Sequence, residues 1–364
     1  MTVLLLPTAD RVSAEAVTEA DPAPEANGRN WPCVDVIVAF RNEAGLIAEK
    51  VRNLRRLDYP HSRLRFFMVD GGSSDRSESA ARVAAAGDPR FRWLSCADGG
   101  KTRQINLAFA RASAPWILLT DADARLPRDA VRRLVERGES DHRIGLVGSL
   151  CQPRRATKMD RTHWSAWNAV RRVENRFGCV TALGPCYLLR RASFGGWPDD
   201  VVADDVFASL EINRLGLRSE LASVLVIERR APPDAGSFLW HKVRKVRAVL
   251  VELLRFLPRA AEFRAAARAV CLCRVFGAFL GPLLVLACCA FLLARFPIES
   301  AFGAAVIASA FVIPKRARIA RRATSPIRTL GLALTLSIVF VAAIVSLPFA
   351  RPRTVFCRWK LEES

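Results

Sequence analysis

The sequence predicts an α/β domain built on a doubly wound, mostly parallel sheet and followed by C-terminal transmembrane helices. Three observations carry this. Strand and helix patterns alternate from Val34 to about Ile227. The first strand candidate, at 34–40, is a continuous apolar run, as expected of a strand covered on both faces. Further on, the segments 275–294 and 329–350 carry no charge and match the roughly 20 residues that a bilayer span needs.

VDVIVAF (34–40) is the first strand, and EAGLIAEKVRNLRRL (43–57), with apolar residues at 47, 51 and 54, has helical spacing. RFFMVD (65–70) is the second strand. SSDRSESAARVAAA follows as a helix with Ser74 as its cap. The strand FRWLS (91–95), the helix KTRQINLAFARA (101–112) and the strand WILLT (116–120) come next. Pro127 is placed in the first turn of the following helix, and RIGLVGS (143–149) is another strand. Such alternation implies parallel strands joined by right-handed crossovers, with ligands bound beyond the carboxyl ends of the strands. Arg41-Asn42-Glu43, Asp70–Asp75 and Asp121–Asp123 all fall at those ends.

The 364-residue chain is 51% hydrophobic and 25% charged, with a net charge of +20. A basic surplus suits nucleic acid or an anionic membrane surface. Here the basic residues crowd the last third beside apolar runs, and no nucleic-acid-binding motif accompanies them, so the membrane is the expected partner. The ten cysteines form no CxxC pair and read as small buried hydrophobes in a reducing compartment. MTVLLLPTAD is too short in its apolar run, and lacks a basic leader, for a signal peptide. Residues 1–30 are expected to be a mobile tail and the domain over 31–235 to be cytosolic.

FLWHKVRKVRAVLVELLRFL (238–257) combines a basic and an apolar face, the latter formed by Trp240, Val243, Val246, Leu250, Leu253 and Leu257. The segment 236–268 suits a basic amphipathic element lying on a bilayer, and equally a surface helix packed on the domain. The region 269–350 accommodates three spans, 275–294, 300–314 and 329–350, before a tail at 351–364. The basic loop 315–328 is expected in the cytosol, whereas the basic residues of the tail stand against a third crossing.

The chemistry concentrates at the sheet's carboxyl end. Asp121 and Asp123 follow a buried strand with one alanine between them, an arrangement that offers a few hard oxygen ligands to a divalent cation shared with phosphate and water. Taken alone, D-x-D is better read as acids capping the next helix. DGGSSD (70–75) places Asp70 at another strand end, which also reads as a capped turn. GGKTRQIN (99–106) sets two glycines before Lys101 at a helix start, where amides and an ammonium hold phosphate; a solvated lysine is the plainer reading. The spacing is not that of a P-loop.

These pieces in this order, after VIVAFRNEA, resemble the family-2 glycosyltransferases. HWSAWNAVRRVENRFGCVTALGPCYLLRRASF (163–194) and VADDVFASLEINRLGLRSEL (202–221) resemble segments of that family's membrane-bound polysaccharide-synthase-like branch. The resemblance covers roughly residues 33–255 and implies a GT-A type fold. It implies that Glu43 and Asp70 lie near the nucleoside and Lys101 near the diphosphate. Asp121 and Asp123 would hold Mg2+ or Mn2+ and, through it, the diphosphate. Asp205, beside Asp204, would be the general base of an inverting displacement. Adjacent acids raise each other's proton affinity, which suits a base, although helix capping is an alternative for the pair.

The chain departs from the family twice. Gly71 stands where a second acid commonly reads uracil. In the region of the processive Q-x-x-R-W motif the chain has His241-Lys242-Val243-Arg244-Lys245, in which Arg244 alone matches. The implied function is transfer of a sugar from a nucleotide sugar, UDP-hexose foremost, to a lipid or lipid-linked acceptor. The implied location is a multi-pass protein of the plasma (inner) membrane with its catalytic domain in the cytosol. No nucleic-acid partner is expected. A processive exopolysaccharide synthase and a non-catalytic binding module are the rival readings. A nucleotidyltransferase would leave 163–221 unexplained.

Overall fold

The computed structural model describes residues 30–96, 100–154, 158–229 and 235–295, with some side chains in 158–163, 235–239 and 282–295 left undescribed. The N-terminal tail, the spans expected at 300–314 and 329–350, and the C-terminal tail lie outside the described residues.

The elements in chain order are β1 (Val34–Phe40), α1 (Ile47–Arg55), β2 (Leu64–Asp70), α2 (Ser77–Ala85), β3 (Phe91–Ser95), α3 (Lys101–Phe109), β4 (Trp116–Thr120) and β5 (Ala124–Arg125). They continue with α4 (Ala130–Glu139), β6 (Ile144–Pro153), α5 (Lys158–Arg176), β7 (Cys186–Arg190), α6 (Asp204–Arg214), β8 (Arg218–Glu228), α7 (Ala235–Phe256) and α8 (Ala265–Arg295).

One eight-stranded sheet has the order β3-β2-β1-β4-β7-β6-β8-β5. β1, β2, β3 and β4 pair in parallel, as do β6 and β8, while β7 runs against both β4 and β6, and β5 against β8. The sheet is therefore mixed, with β7 and β5 reversed. β7, between β4 and β6, runs against both and so delivers the Leu183–Pro185 turn to the carboxyl end of β4, where Pro185 O accepts the Asp121 amide at 3.0 Å.

Both faces are covered, which is why β1, β2 and β4 are apolar on successive residues. One core layer packs Ile47, Val51 and Leu54 of α1 and Val131, Leu134 and Val135 of α4 on the sheet. The other packs Ile105 and Phe109 of α3, Leu210 and Ile212 of α6, and Leu253 and Phe256 of α7. Asp35, fully buried in β1, is satisfied by Arg65 at 2.7 and 2.8 Å and by the Ser113 and Ala114 amides.

Two caps differ from expectation. Ser74 bonds Asn42, and Asp75 takes the Ser77 amide at the start of α2. Pro127 precedes α4, whose cap position is Asp129. In both cases the polar loop is spent on joining neighbouring loops, so the helix starts later than the local pattern suggests.

α7 turns Leu250, Leu253 and Phe256 inward, against α8 or the domain, and leaves Trp240 exposed. α8 is pinned by Arg274, whose Nε lies 2.6 Å from Glu174 on α5. Its first half buries Ala267, Cys271 and Val275, while Phe276, Leu280, Leu283, Leu284 and Phe291 are exposed. The segment 275–294 thus forms the helical second part of α8. Among the described residues no helix is long and apolar enough to cross a membrane.

Candidate active site

β4 ends at Thr120, and the loop carrying Asp121 and Asp123 leaves the sheet beside the ends of β1 and β7. α3 begins at Lys101, after Gly100 at a φ of 97°, a conformation that favours glycine. α6 begins at Asp204. These three starts meet. Lys101 Nζ lies 2.7 Å from Asp121 Oδ1 and 2.9 Å from Asp204 Oδ1. Burial works against the ammonium, but the two carboxylates outweigh it and raise the lysine's proton affinity. The side chain is still 47% exposed, so the ion pairs are reachable from solvent.

The four acids do not cap helices. α4 starts beyond Asp121 and Asp123, and the cap position of α6 is Ala203, with no side-chain bond to the helix. Asp204 instead accepts the Tyr187 hydroxyl at 2.8 Å. Burial and the Asp204 charge push that phenol well up. Asp205 turns one oxygen to the Leu183 and Gly184 amides, each at 2.9 Å. Burial raises its proton affinity, Asp204 adds to the rise, and the amides with Lys101 oppose it. A carboxylate lifted in this way and backed by fixed amides is suited to accepting a proton from a neighbouring hydroxyl. The amides are held in turn by Arg171, buried in α5, whose guanidinium donates to the Ser149 and Leu183 carbonyls at 2.5 Å.

The nucleoside side expected from Glu43 and Asp70 is tightly cross-linked. Both are buried. The Glu43 amide donates to Ser77 Oγ at 2.6 Å. Asp70 is engaged by the amide and hydroxyl of Ser73. Asn42, at a φ of 52°, joins the two loops through Ser73 and Ser74. Gly71 has a physical reason: a Cβ there would sit 1.6 Å from Gln104 Nε2. Gln104, 3% exposed, therefore fills the space a side chain at 71 would use. It lies one turn beyond Lys101 on α3, a connection local sequence could not reveal.

Arg244 lies on α7 with its guanidinium 3.5 Å from His241 Nδ1. The adjacent Lys245 pairs with Glu228 at the end of β8, at 3.3 Å. Burial works against the Lys245 ammonium, but Glu228 foremost outweighs it and raises the lysine's proton affinity.

Asp121 and Asp123 are not joined by a third ligand: among the described residues no group of three His, Cys, Asp or Glu forms. Two carboxylates on one short loop, one of them 37% exposed, fit a hard divalent cation whose other positions belong to phosphate oxygens and water. Lys50, buried beneath the loop, is a residue that sequence reasoning missed. Its ammonium donates to Thr120 Oγ1 at 2.8 Å and to the Ala124 carbonyl at 2.7 Å. Burial pulls it down to about 8, against the fields of Cys186, Asp121 and Asp123. The described cysteines are free, and most are buried.

A doubly wound sheet with acids and a lysine converging beyond β4 defines an α/β domain with a polar site at the carboxyl end of its strands, where such sheets bind ligands. The sequence matches the family described as Glycosyl transferase family 2 over residues 35–195, and Glycosyl transferase family group 2 over residues 116–350. The chain belongs to the family-2 glycosyltransferases. It is 27% identical over 258 residues to an N-acetylglucosaminyltransferase of Mesorhizobium japonicum, covering 65% of this chain and 60% of that one. It is likewise 27% identical over 232 residues to a beta-monoglucosyldiacylglycerol synthase of Synechocystis, covering 58% and 46%. The chain thus spans less than two thirds of the length of these relatives. The mannosyltransferase PcManGT from Pyrobaculum calidifontis, solved with GDP-Man and Mn2+, shares the fold with a TM-score of 0.71 and 25% identity, covering 90% of each chain.

Proposed function

We propose that the protein transfers a sugar from a nucleotide-sugar donor to a lipid or lipid-linked acceptor at the membrane, with inversion and with a divalent cation. The observation that carries this is the convergence of Lys101, Asp121 and Asp204, from three separate segments, within 2.7 and 2.9 Å contacts at the carboxyl end of the sheet.

Asp121 and Asp123 would hold Mg2+ or Mn2+, which when bound stabilises the negative charge that develops on the departing diphosphate. Lys101 supplies a second positive charge at the same place, released from Asp121 and Asp204 as the donor's phosphates arrive. Asp205 takes the proton of the acceptor hydroxyl, its free oxygen facing away from the Leu183 and Gly184 amides. Attack by that hydroxyl from the face opposite the leaving diphosphate inverts the anomeric centre in one displacement.

The neighbour bound to GDP-Man and Mn2+ supports the donor class and the cation. The relative named beta-monoglucosyldiacylglycerol synthase supports a lipid acceptor. The exposed apolar residues on α8 and the basic segment of α7 support a site at an anionic inner-leaflet surface. UDP-hexose remains the first donor to try, with Gln104 in place of an acid at position 71 as the reason to include GDP donors.

The test is nucleotide release by detergent-purified protein, given a panel of nucleotide sugars, Mn2+ and lipid extract. Release from one donor that disappears in Asp205→Asn supports the reading. Absence of turnover with every donor moves the protein to the binding-module class.

A further inference from the structure

The helix α1 contributes no side chain to the convergence described above, yet three of its residues reach under the segment Thr120–Leu126. Glu49, Lys50 and Asn53 share one side of the helix at the i, i+1 and i+4 positions. Lys50 is 3% exposed and bridges the two ends of the D-x-D turn, donating to Thr120 Oγ1 at 2.8 Å before it and to Ala124 O at 2.7 Å after it. Asn53 holds Leu126 on both sides of its peptide, donating to the carbonyl and accepting from the amide, each at 2.8 Å. Glu49 pairs with Arg229 at 2.6 Å, and the Arg229 amide donates to the Asp123 carbonyl at 2.8 Å.

A buried ammonium is costly unless it is hydrogen-bonded. This one gives two of its three protons to a hydroxyl and a carbonyl that flank the acids. A methionine would fill the same volume without that cost. The site therefore has a use for the cation that core packing does not explain. The bonds tie the Thr120 side chain before Asp121 and the Ala124 backbone after Asp123 to one buried group, which restrains the loop that carries the two carboxylates.

We infer that Lys50 is a positioning residue of the cation site, with Asn53 as its partner, clamping the D-x-D loop from beneath so that Asp121 and Asp123 are set before metal and diphosphate bind. This rests on the proposed role of those two acids. The clamp acts through the loop and contacts neither the donor nor the acceptor.

The experiment compares full-length wild type, Lys50→Met, Lys50→Gln and Asn53→Ala in detergent, with two readouts. The first is amide hydrogen exchange of residues 121–126 without metal, where exchange at least about tenfold faster is expected in Lys50→Met. The second is binding of Mn2+ in the presence of UDP or GDP, measured by the paramagnetic signal of free Mn2+. Affinity lower by about 10–100-fold is expected, the usual effect of removing a group that orients a metal ligand. Lys50→Gln, which can still donate to one acceptor, is expected to recover part of both effects. Asn53→Ala keeps the ammonium and is expected to fall between. If Lys50→Met does not fold, Lys50→Gln and Asn53→Ala carry the same comparison.

Unchanged exchange and unchanged Mn2+ affinity in folded variants overturn the inference. Wild type that binds no Mn2+ with either nucleotide overturns the cation reading instead, and the exchange arm then still decides whether the clamp exists.

Discussion

Lys101 Nζ sits 2.7 Å from Asp121 Oδ1, so the lysine that opens α3 is paired with the acid that follows β4. Its second contact, to Asp204 at 2.9 Å, ties the start of α6 to the same point. The resting site is thus held together by one cation with two anionic partners. A diphosphate competes for that cation, while a metal ion would compensate the acids it leaves.

Replacing Lys101 by Met removes the charge that the proposed mechanism assigns to the leaving group. Turnover is expected to fall by about 100-fold or more, the scale seen when a positioned electrostatic donor is lost. The steady-state rate of nucleotide release checks this. A loss confined to KM, with kcat intact, would mean the lysine only recruits donor.

Asp205 has its proton affinity raised, first by burial and then by Asp204. A base is active only when deprotonated, so kcat/KM is expected to fall on the acid side at a pH above the ordinary aspartate range. Asp204→Asn removes the neighbouring charge and should move that limb to lower pH, although it also frees Lys101 and slows the reaction. Asp205→Asn should abolish the limb and lower the rate by about 10²–10⁴-fold. An unshifted limb in Asp204→Asn would assign it to another group.

Lys50 titrates at about 8 when folded, against 10.5 for an unperturbed lysine. Below pH 8 both states hold the proton, and burial of the charge costs folding its full amount. Between those values the unfolded chain keeps the proton and the folded one sheds it, so stability contributed by this group rises with pH. The difference in unfolding free energy between wild type and Lys50→Met is expected to move in the wild type's favour by roughly 2–3 kcal/mol from pH 7 to 10. Denaturant titrations at several pH values measure it. A flat difference would show that the lysine is not buried as a cation.

Gly71→Asp would place a side chain where Gln104 Nε2 now lies. The single change is expected to cost about 1–3 kcal/mol by crowding, and adding Gln104→Ala should recover most of it. Thermal unfolding reads the recovery. Binding of UDP against GDP in the double variant reads whether this spot contributes to nucleotide choice. No coupling between the two changes would mean that the amide moves aside at no cost.

Much of this is legible along the chain. β1 and β4 begin and end where the apolar runs do, at 34–40 and 116–120, and β3 forms at the expected 91–95. The runs of β1 and β4 reflect burial on both faces, a property each strand carries locally, whereas β3 lies at the sheet edge and is only partly buried. Asp121 and Asp123 stand out because strand ends are where such sheets bind ligands, and Lys101 because it follows two glycines at a helix start; Asp204 and Asp205 are marked only by the resemblance to the family. The reversed β7 is not legible, since a strand's direction depends on its neighbours and not on its own pattern. Nor is Lys50, which reads as one more polar residue on an amphipathic helix until α1 is laid under the loop.

The sequence by itself determined the α/β class and the parallel half of the sheet, because periodicity and turn chemistry are short-range, while the choice of acids came from the ordered set of motifs that resembles the family. Tertiary structure alone decided that Asp204 faces Lys101, that Asp205 rests on the Leu183 and Gly184 amides, and that Lys50 and Asn53 brace the loop between Thr120 and Leu126. Each of those relations joins residues far apart along the chain, and only the order in which the strands pack brings them within bonding distance.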